Sequence, residues 1–238
     1  MRARNEDSFG LDPERGLAVV ADGRGGHPAG DVASRLATER ALEILGRERR
    51  AASPRDPLRA MAAAMRDAIL EAHERVRSQA ERGPGLEGMG TTLTALALDA
   101  RAGLWVVGHV GDSRAYLLRG GALARLTRDD TWIQERVDAG ELTPEEARGH
   151  PHAHILLQCL GLDETPVPQL VHGRIEPHDA FLLCTDGLTG MLDDAALEEV
   201  LASAPLDREG PEPALRALLD AAIAAGGHDN VTAVLVLA

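Results

Sequence analysis

Apolar runs that stop at an aspartate restrict this chain more than any other feature. Residues 17–21 (LAVVA) run straight into Asp22-Gly23, residues 181–185 (FLLCT) run into Asp186-Gly187, and the motif VGHVGDSRAY sets Asp112 behind a third run. Two further acidic motifs, NEDSF around Asp7 and GGHDNVT around Asp229, stand near the two ends of the sequence. An apolar run seeks burial, so a carboxylate at its end is fixed at the rim of a sheet. Any single Asp-Gly pair reads equally well as a plain turn, since both residues suit turn backbone. As a set they point elsewhere. Carboxylates at several strand ends can converge on one hard cation if the fold brings those ends together. A Gly behind the ligand lets the backbone approach closely enough for its carbonyl to join. With oxygen donors and no Cys or His built into the pattern, Mg or Mn suits the set better than Zn or Cu.

The 238 residues fit one large domain, expected to span 1–238. Aromatic residues make up only 2% of the chain, so the core must be built from Ala, Val, Leu and Ile. The net charge of -13 argues against a nucleic-acid partner, which needs a basic face. Cys159 and Cys184 form no C-x-x-C pair and suggest neither a zinc site nor a disulfide framework. No signal peptide and no membrane-spanning run is legible, so a reduced, cytoplasmic setting is expected.

Along the chain, residues 17–21 read as a strand and 31–49 as a helix. A second helix is expected over 57–80, where Leu58, Met61, Met65, Ile69, Ala72 and Val76 recur at the spacing of one helical face. Strands follow over 91–98, 104–110, 115–119 and 122–126, the last two joined at Gly120-Gly121. Short helices are expected over 131–139 and over 144–148, with Thr143 capping the second. Strands resume over 167–175 and 180–184, helices over 193–202 and 213–225, and a closing strand over 231–237. Helices and antiparallel strands come in blocks, which argues for an α+β layered architecture and against a doubly wound parallel sheet.

The ordered set NEDSF, VVADGRGGHPAG, GMGTTLTAL, VGHVGDSRAYLLR, LLCTDGLTGML and GGHDNVTAVLV resembles the PPM family, the type 2C metal-dependent serine/threonine protein phosphatases, in its bacterial form. The resemblance runs from Arg2 to the C-terminus and includes a flap over about 127–155. It implies a four-layer α-β-β-α sandwich of two mainly antiparallel sheets, here without the family's usual first strand, because Met1 directly precedes Arg2. It implies two Mn or Mg ions and a looser third. Asp22 would bridge two ions and the Gly23 carbonyl would complete the second. Asp186 and Asp229 would bind the first, and Asp112 with Asp186 the third. Glu6 and Asp7 would flank the metal-bound water, and Arg2 would bind phosphate. The implied reaction is hydrolysis of phosphoserine and phosphothreonine on proteins by a dimetal-activated water, without a covalent intermediate. Cys184, inside an apolar run, reads as an inert core thiol.

The partners so implied are phosphorylated proteins, substrates of a Ser/Thr kinase, met by a monomeric enzyme with no membrane or nucleic-acid contact. A non-catalytic module that keeps the fold and binds phosphoproteins is the alternative, and the full set of carboxylates argues against it. The sequence departs from the family at Arg24, where bacterial members commonly have Met. A solvated arginine is the expected reading there, with added positive charge near the cleft as the other. The flap carries Asp129-Asp130-Thr131 where many relatives have Asp-His-Ser. His150, His152 and His154 resemble an H-x-H-x-H metal site, but the family already has His-Pro at His150-Pro151, and alternate residues on a flap need not share a partner. His27, His109 and His228 are expected to serve packing or turn hydrogen bonds.

Overall fold

The first strand is one that the sequence pattern does not announce. In the computed structural model, which describes residues 4–24, 29–48, 55–203 and 210–238, β1 (Asp7–Asp12) pairs antiparallel with β2 (Leu17–Arg24) across a short 3-10 turn at Pro13–Arg15. Asp, Ser and Gly disfavour a strand, so pairing with β2 must hold β1 extended. Among the described residues no strand precedes β1.

Helices α1 (Gly30–Glu48) and α2 (Pro57–Ala80) follow. Asp56 caps α2 by accepting from the Arg59 amide, and Pro57 sits in the first turn, where its missing N–H costs nothing. Met65, Ile69, Ala72 and Val76 are buried along one face, and Leu58 and Met61 pack at its margin, as the spacing predicts. The expected strand over 91–98 is broken at Thr92 into β3 (Gly90–Thr91) and β4 (Leu93–Asp99). Next come β5 (Leu104–Val110), β6 (Arg114–Arg119) and β7 (Ala122–Arg125), then α3 (Trp132–Asp138) and α4 (Pro144–Ala147), which opens on a capping box between Thr143 and Glu146. The chain closes with β8 (Gln169–Arg174), β9 (Ala180–Cys184), α5 (Asp186–Thr189), α6 (Asp194–Ser203), α7 (Glu212–Ala224) and β10 (Ala233–Leu237).

The strands form two antiparallel sheets. One runs β1-β2-β4-β5-β8 with β3 added on β2, and the other runs β10-β9-β6-β7. The period of two along each strand distributes side chains between layers. On β2, Leu17 and Val19 face α1 and α2, whereas Ala18 and Val20 face the other sheet with Phe181 and Leu183 of β9. A third cluster packs α5, α6 and α7 onto the outer face of the second sheet through Leu188, Leu197 and Leu218. Full burial of each such Val or Leu contributes roughly 1.5–3 kcal/mol. The result is the expected α-β-β-α sandwich. Its aromatic content is small, and Trp105 and Phe181 form an edge-to-face pair at 5.5 Å between the sheets.

Candidate metal centre

The rim of this sandwich gathers the aspartates from both sheets. Asp22 lies near the end of β2, in the first sheet. Asp186 follows β9, in the second. Asp112 sits on the link by which the chain passes from β5 in one sheet to β6 in the other. One carboxylate oxygen from each of the three lies within 4.8 Å of the others. Asp22 and Asp112 are each only 6% exposed.

Local hydrogen bonds explain why β2 delivers Asp22 in this position. The Asp22 amide donates to Thr92 Oγ1 at 2.9 Å, and its carbonyl accepts from the Thr92 amide and from Thr91 Oγ1, both at 2.9 Å. Thr92 Oγ1 also lies 2.7 Å from Ser113 Oγ, beside Asp112. The Thr91-Thr92 pair therefore breaks the strand in order to lock Asp22 to the link carrying Asp112. Gly23 is wedged against two backbones: a Cβ there would lie 2.0 Å from the Gly30 carbonyl oxygen and 2.6 Å from that of Glu6. Its amide donates to the Glu6 carbonyl at 3.0 Å.

Glu6 is a junction. Its carbonyl also accepts from Ser34 Oγ of α1 at 2.6 Å, and its amide donates to Asn230 Oδ1 at 3.1 Å. Asn230 in turn packs on the start of α5, where a Cβ on Gly187 would lie 1.8 Å from the Asn230 carbonyl. Asp7 stands opposite Asp22 in the β1–β2 register. Its Oδ2 accepts from Thr185 Oγ1 at 2.8 Å, across to the second sheet. Asp7 lies within electrostatic reach of both Asp186 and Asp229, while Asp229 is outside the three-carboxylate cluster. Arg2 and His27 lie outside the described residues. Thr92, Ser113 and Thr185 are the residues that sequence reasoning missed. The signal for them was hydroxyl side chains bordering the apolar runs.

Crowded carboxylates resist ionisation. Burial, then the charges of Asp186 and Asp7, push the Asp22 carboxyl up to about 10. Burial lifts Asp112 to about 7 against the opposing pull of Arg24, and lifts Asp7 to about 6 against hydrogen bonds from Thr232 and Thr185. Asp112 Oδ1 is buried and has no hydrogen-bond partner. An orphaned carboxylate oxygen among mutually repelling carboxylates, all of them hard donors, is the setting a divalent cation fits.

Arg24 is not the solvated arginine expected from the sequence. It lies two residues beyond Asp22, hence on the same side of β2. Its Nη2 donates to Asp112 Oδ2 at 2.6 Å and to Asp186 Oδ2 at 3.3 Å, and its Nη1 donates to the His154 carbonyl at 2.6 Å. In the flap, Asp129 binds Arg114 and Arg125, the Asp130 carboxylate accepts from the Gly111 amide at 3.0 Å, and Thr131 caps α3. His150 and His152 pack against Trp132 at centroid distances of 5.7 and 5.3 Å, and the flap histidines join no metal-like group among the described residues. His109 is fully buried, with Thr94 Oγ1 2.8 Å from Nδ1 and the Gly111 carbonyl 3.0 Å from Nε2, as a packing role requires. Burial pushes the Cys184 thiol up to about 12 and the Cys159 thiol to about 11.

This chain belongs to the protein phosphatase 2C family, which it matches over residues 2–221. It is 40% identical over 237 residues to the serine/threonine protein phosphatase PstP of Mycobacterium tuberculosis, covering 99% of this chain and 42% of that protein. The chain thus spans under half the length of that relative. It is 36% identical to the serine/threonine phosphatase Stp of Listeria monocytogenes, covering 99% of this chain and 91% of Stp. The catalytic domain of PstP, solved in complex with 2 manganese ions, superposes with a TM-score of 0.79 at 38% identity, over 99% of this chain and 92% of that one.

Proposed function

We infer that this chain hydrolyses phosphoserine and phosphothreonine on proteins, using Mn or Mg ions. The observation that carries the reading is the convergence of Asp22, Asp112 and Asp186 at the rim between two sheets. Family membership and the manganese held by the PstP catalytic domain support it. Asp22, the Gly23 carbonyl, Asp186 and Asp229 would hold two ions, and the looser third that the resemblance assigns to Asp112 and Asp186 would meet Arg24 there. Bound ions supply the positive charge that a phosphomonoester dianion needs and make water acidic enough to attack phosphorus.

The chain's own residues supply the frame. Thr91 and Thr92 hold Asp22 against the Asp112 link, and Thr185 holds the Asp7 carboxylate beside the cluster. The Glu6 backbone fixes β1, β2 and α1 together. Arg2 is proposed to bind the substrate phosphate. A covalent cysteinyl intermediate has no support, because Cys184 is buried with its thiol pushed up. The substrates are proposed to be proteins phosphorylated by a Ser/Thr kinase, acted on by one domain over 1–238 as a monomer. No helix among the described residues is long and apolar enough to cross a membrane.

The test is phosphate release from a phosphothreonine peptide. Release is expected with Mn, is abolished by chelator, and is lost in Asp186→Asn. If the chain, and a version extended upstream, bind Mn but release no phosphate, the reading as an enzyme fails and a non-catalytic phosphoprotein-binding module replaces it.

A further inference from the structure

The acidic cluster already contains one cation. Arg24 Nη2 lies between the Asp112 and Asp186 carboxylates, at 2.6 and 3.3 Å, while Nη1 reaches the carbonyl of His154 in the flap at 2.6 Å. The side chain is only 27% exposed. A guanidinium is suited to this double task. Its planar fork points donors in two directions, and it keeps its charge at any ordinary pH. A lysine ammonium, as a compact point charge, could not span the carboxylates and the carbonyl in the same way.

We propose that Arg24 is a resident cation of the acidic cluster, standing where a loosely held divalent ion would bridge Asp112 and Asp186, and that it ties the flap to the cluster through His154. The proposal rests on the metal-dependent reading above. Three observations carry it. The same nitrogen contacts both carboxylates that such an ion would need. The flap end that Arg24 reaches is held to the rest of the flap by the Trp132 amide to the Ile155 carbonyl at 2.9 Å and the Leu157 amide to the Asp130 carbonyl at 2.7 Å, and further on Leu160 pairs with Thr91 of β3. Asp130 is in turn anchored on Gly111, beside Asp112. Arg24 therefore closes a ring that runs from the cluster, through the flap, and back to the cluster. Arg24 is thus a positioning residue: it sets how many ions the cluster accepts and where the flap rests.

The experiment compares wild type, Arg24→Met and Arg24→Lys by calorimetric Mn titration and by amide exchange of residues 152–157, the exchange being read in metal-free protein. Arg24→Met is expected to bind one more Mn ion than wild type, more weakly than the others. Its flap amides are expected to exchange on the order of tenfold faster, the scale set by losing a charge-assisted hydrogen bond. Arg24→Lys should keep the wild-type ion count and lose the flap protection. Equal ion counts and equal exchange in wild type and Arg24→Met would overturn the proposal. So would a wild type that takes the extra ion and loosens its flap as it does so, since Arg24 would then yield to the metal. If neither protein bound Mn, the ion-displacement half would fall together with the proposed function. The exchange data would still decide the tether.

Discussion

Replacing Asp22 by asparagine exchanges a titratable carboxyl at the centre of the cluster for an amide that cannot ionise, at nearly constant volume. Without an ion, burial and the neighbouring carboxylates hold the Asp22 carboxyl up at about 10, against an ordinary value of about 3.9. Because the folded value lies above the unfolded one, folding takes up a proton at Asp22. The stability it contributes is complete below about pH 4 and is lost as pH rises toward about 10. Within that window each pH unit costs about 1.4 kcal/mol. Between about pH 5 and about pH 7 the metal-free wild type should therefore lose on the order of 3 kcal/mol relative to Asp22→Asn, whose amide does not titrate. Urea unfolding in chelator at the two pH values, followed by circular dichroism, reads the difference directly. Stabilities that move in parallel in the two proteins would refute the reasoning. Saturating Mn should reverse the wild-type trend, because the ligands must shed protons to bind it.

Two other consequences can be checked simply. Gly23→Ala would drive a Cβ into the Gly30 and Glu6 carbonyls, which are backbone and cannot swing aside. A loss at or above the upper end of the roughly 1–3 kcal/mol typical of overpacking is expected, measured by thermal unfolding. Cys184 should resist a thiol reagent in the native protein and react at once in denaturant, because its thiol is fully buried and pushed up to about 12. Rapid native labelling would contradict the placement of β9.

The layers were legible because burial writes a strong period into the sequence. Helix α2 matches its expected limits, since Leu58 to Val76 repeat at helical spacing and Asp56-Pro57 marks the start. β9 also matches, as an apolar run closed by Thr185-Asp186. β1 was not legible. Its register with β2 is a long-range property, and the DSFGLD segment carries little strand propensity of its own. The break at Thr92 was hidden for a related reason. Thr favours strands, and only the meeting with Asp22 and Ser113 turns its hydroxyl to another use. The aspartates could be picked out from the runs they terminate, but their mutual distances could not. Arg24 shows the limit most plainly, because an arginine is usually exposed and nothing local reveals which carboxylates the fold will bring to it.

Asp112 rides on the short link from β5 to β6, which carries the chain from one sheet to the other. The spacing of the cluster is therefore a gauge of how far apart and at what angle the two sheets rest. Small changes among Ala18, Val20, Ala115, Phe181 and Leu183, none of which belongs to the carboxylate cluster, would slide one jaw of the gauge against the other. Drift in ordinary packing residues would then register as a change in metal affinity. An ion bound across the gap would act as a clasp, restoring the spacing that a looser core had let go.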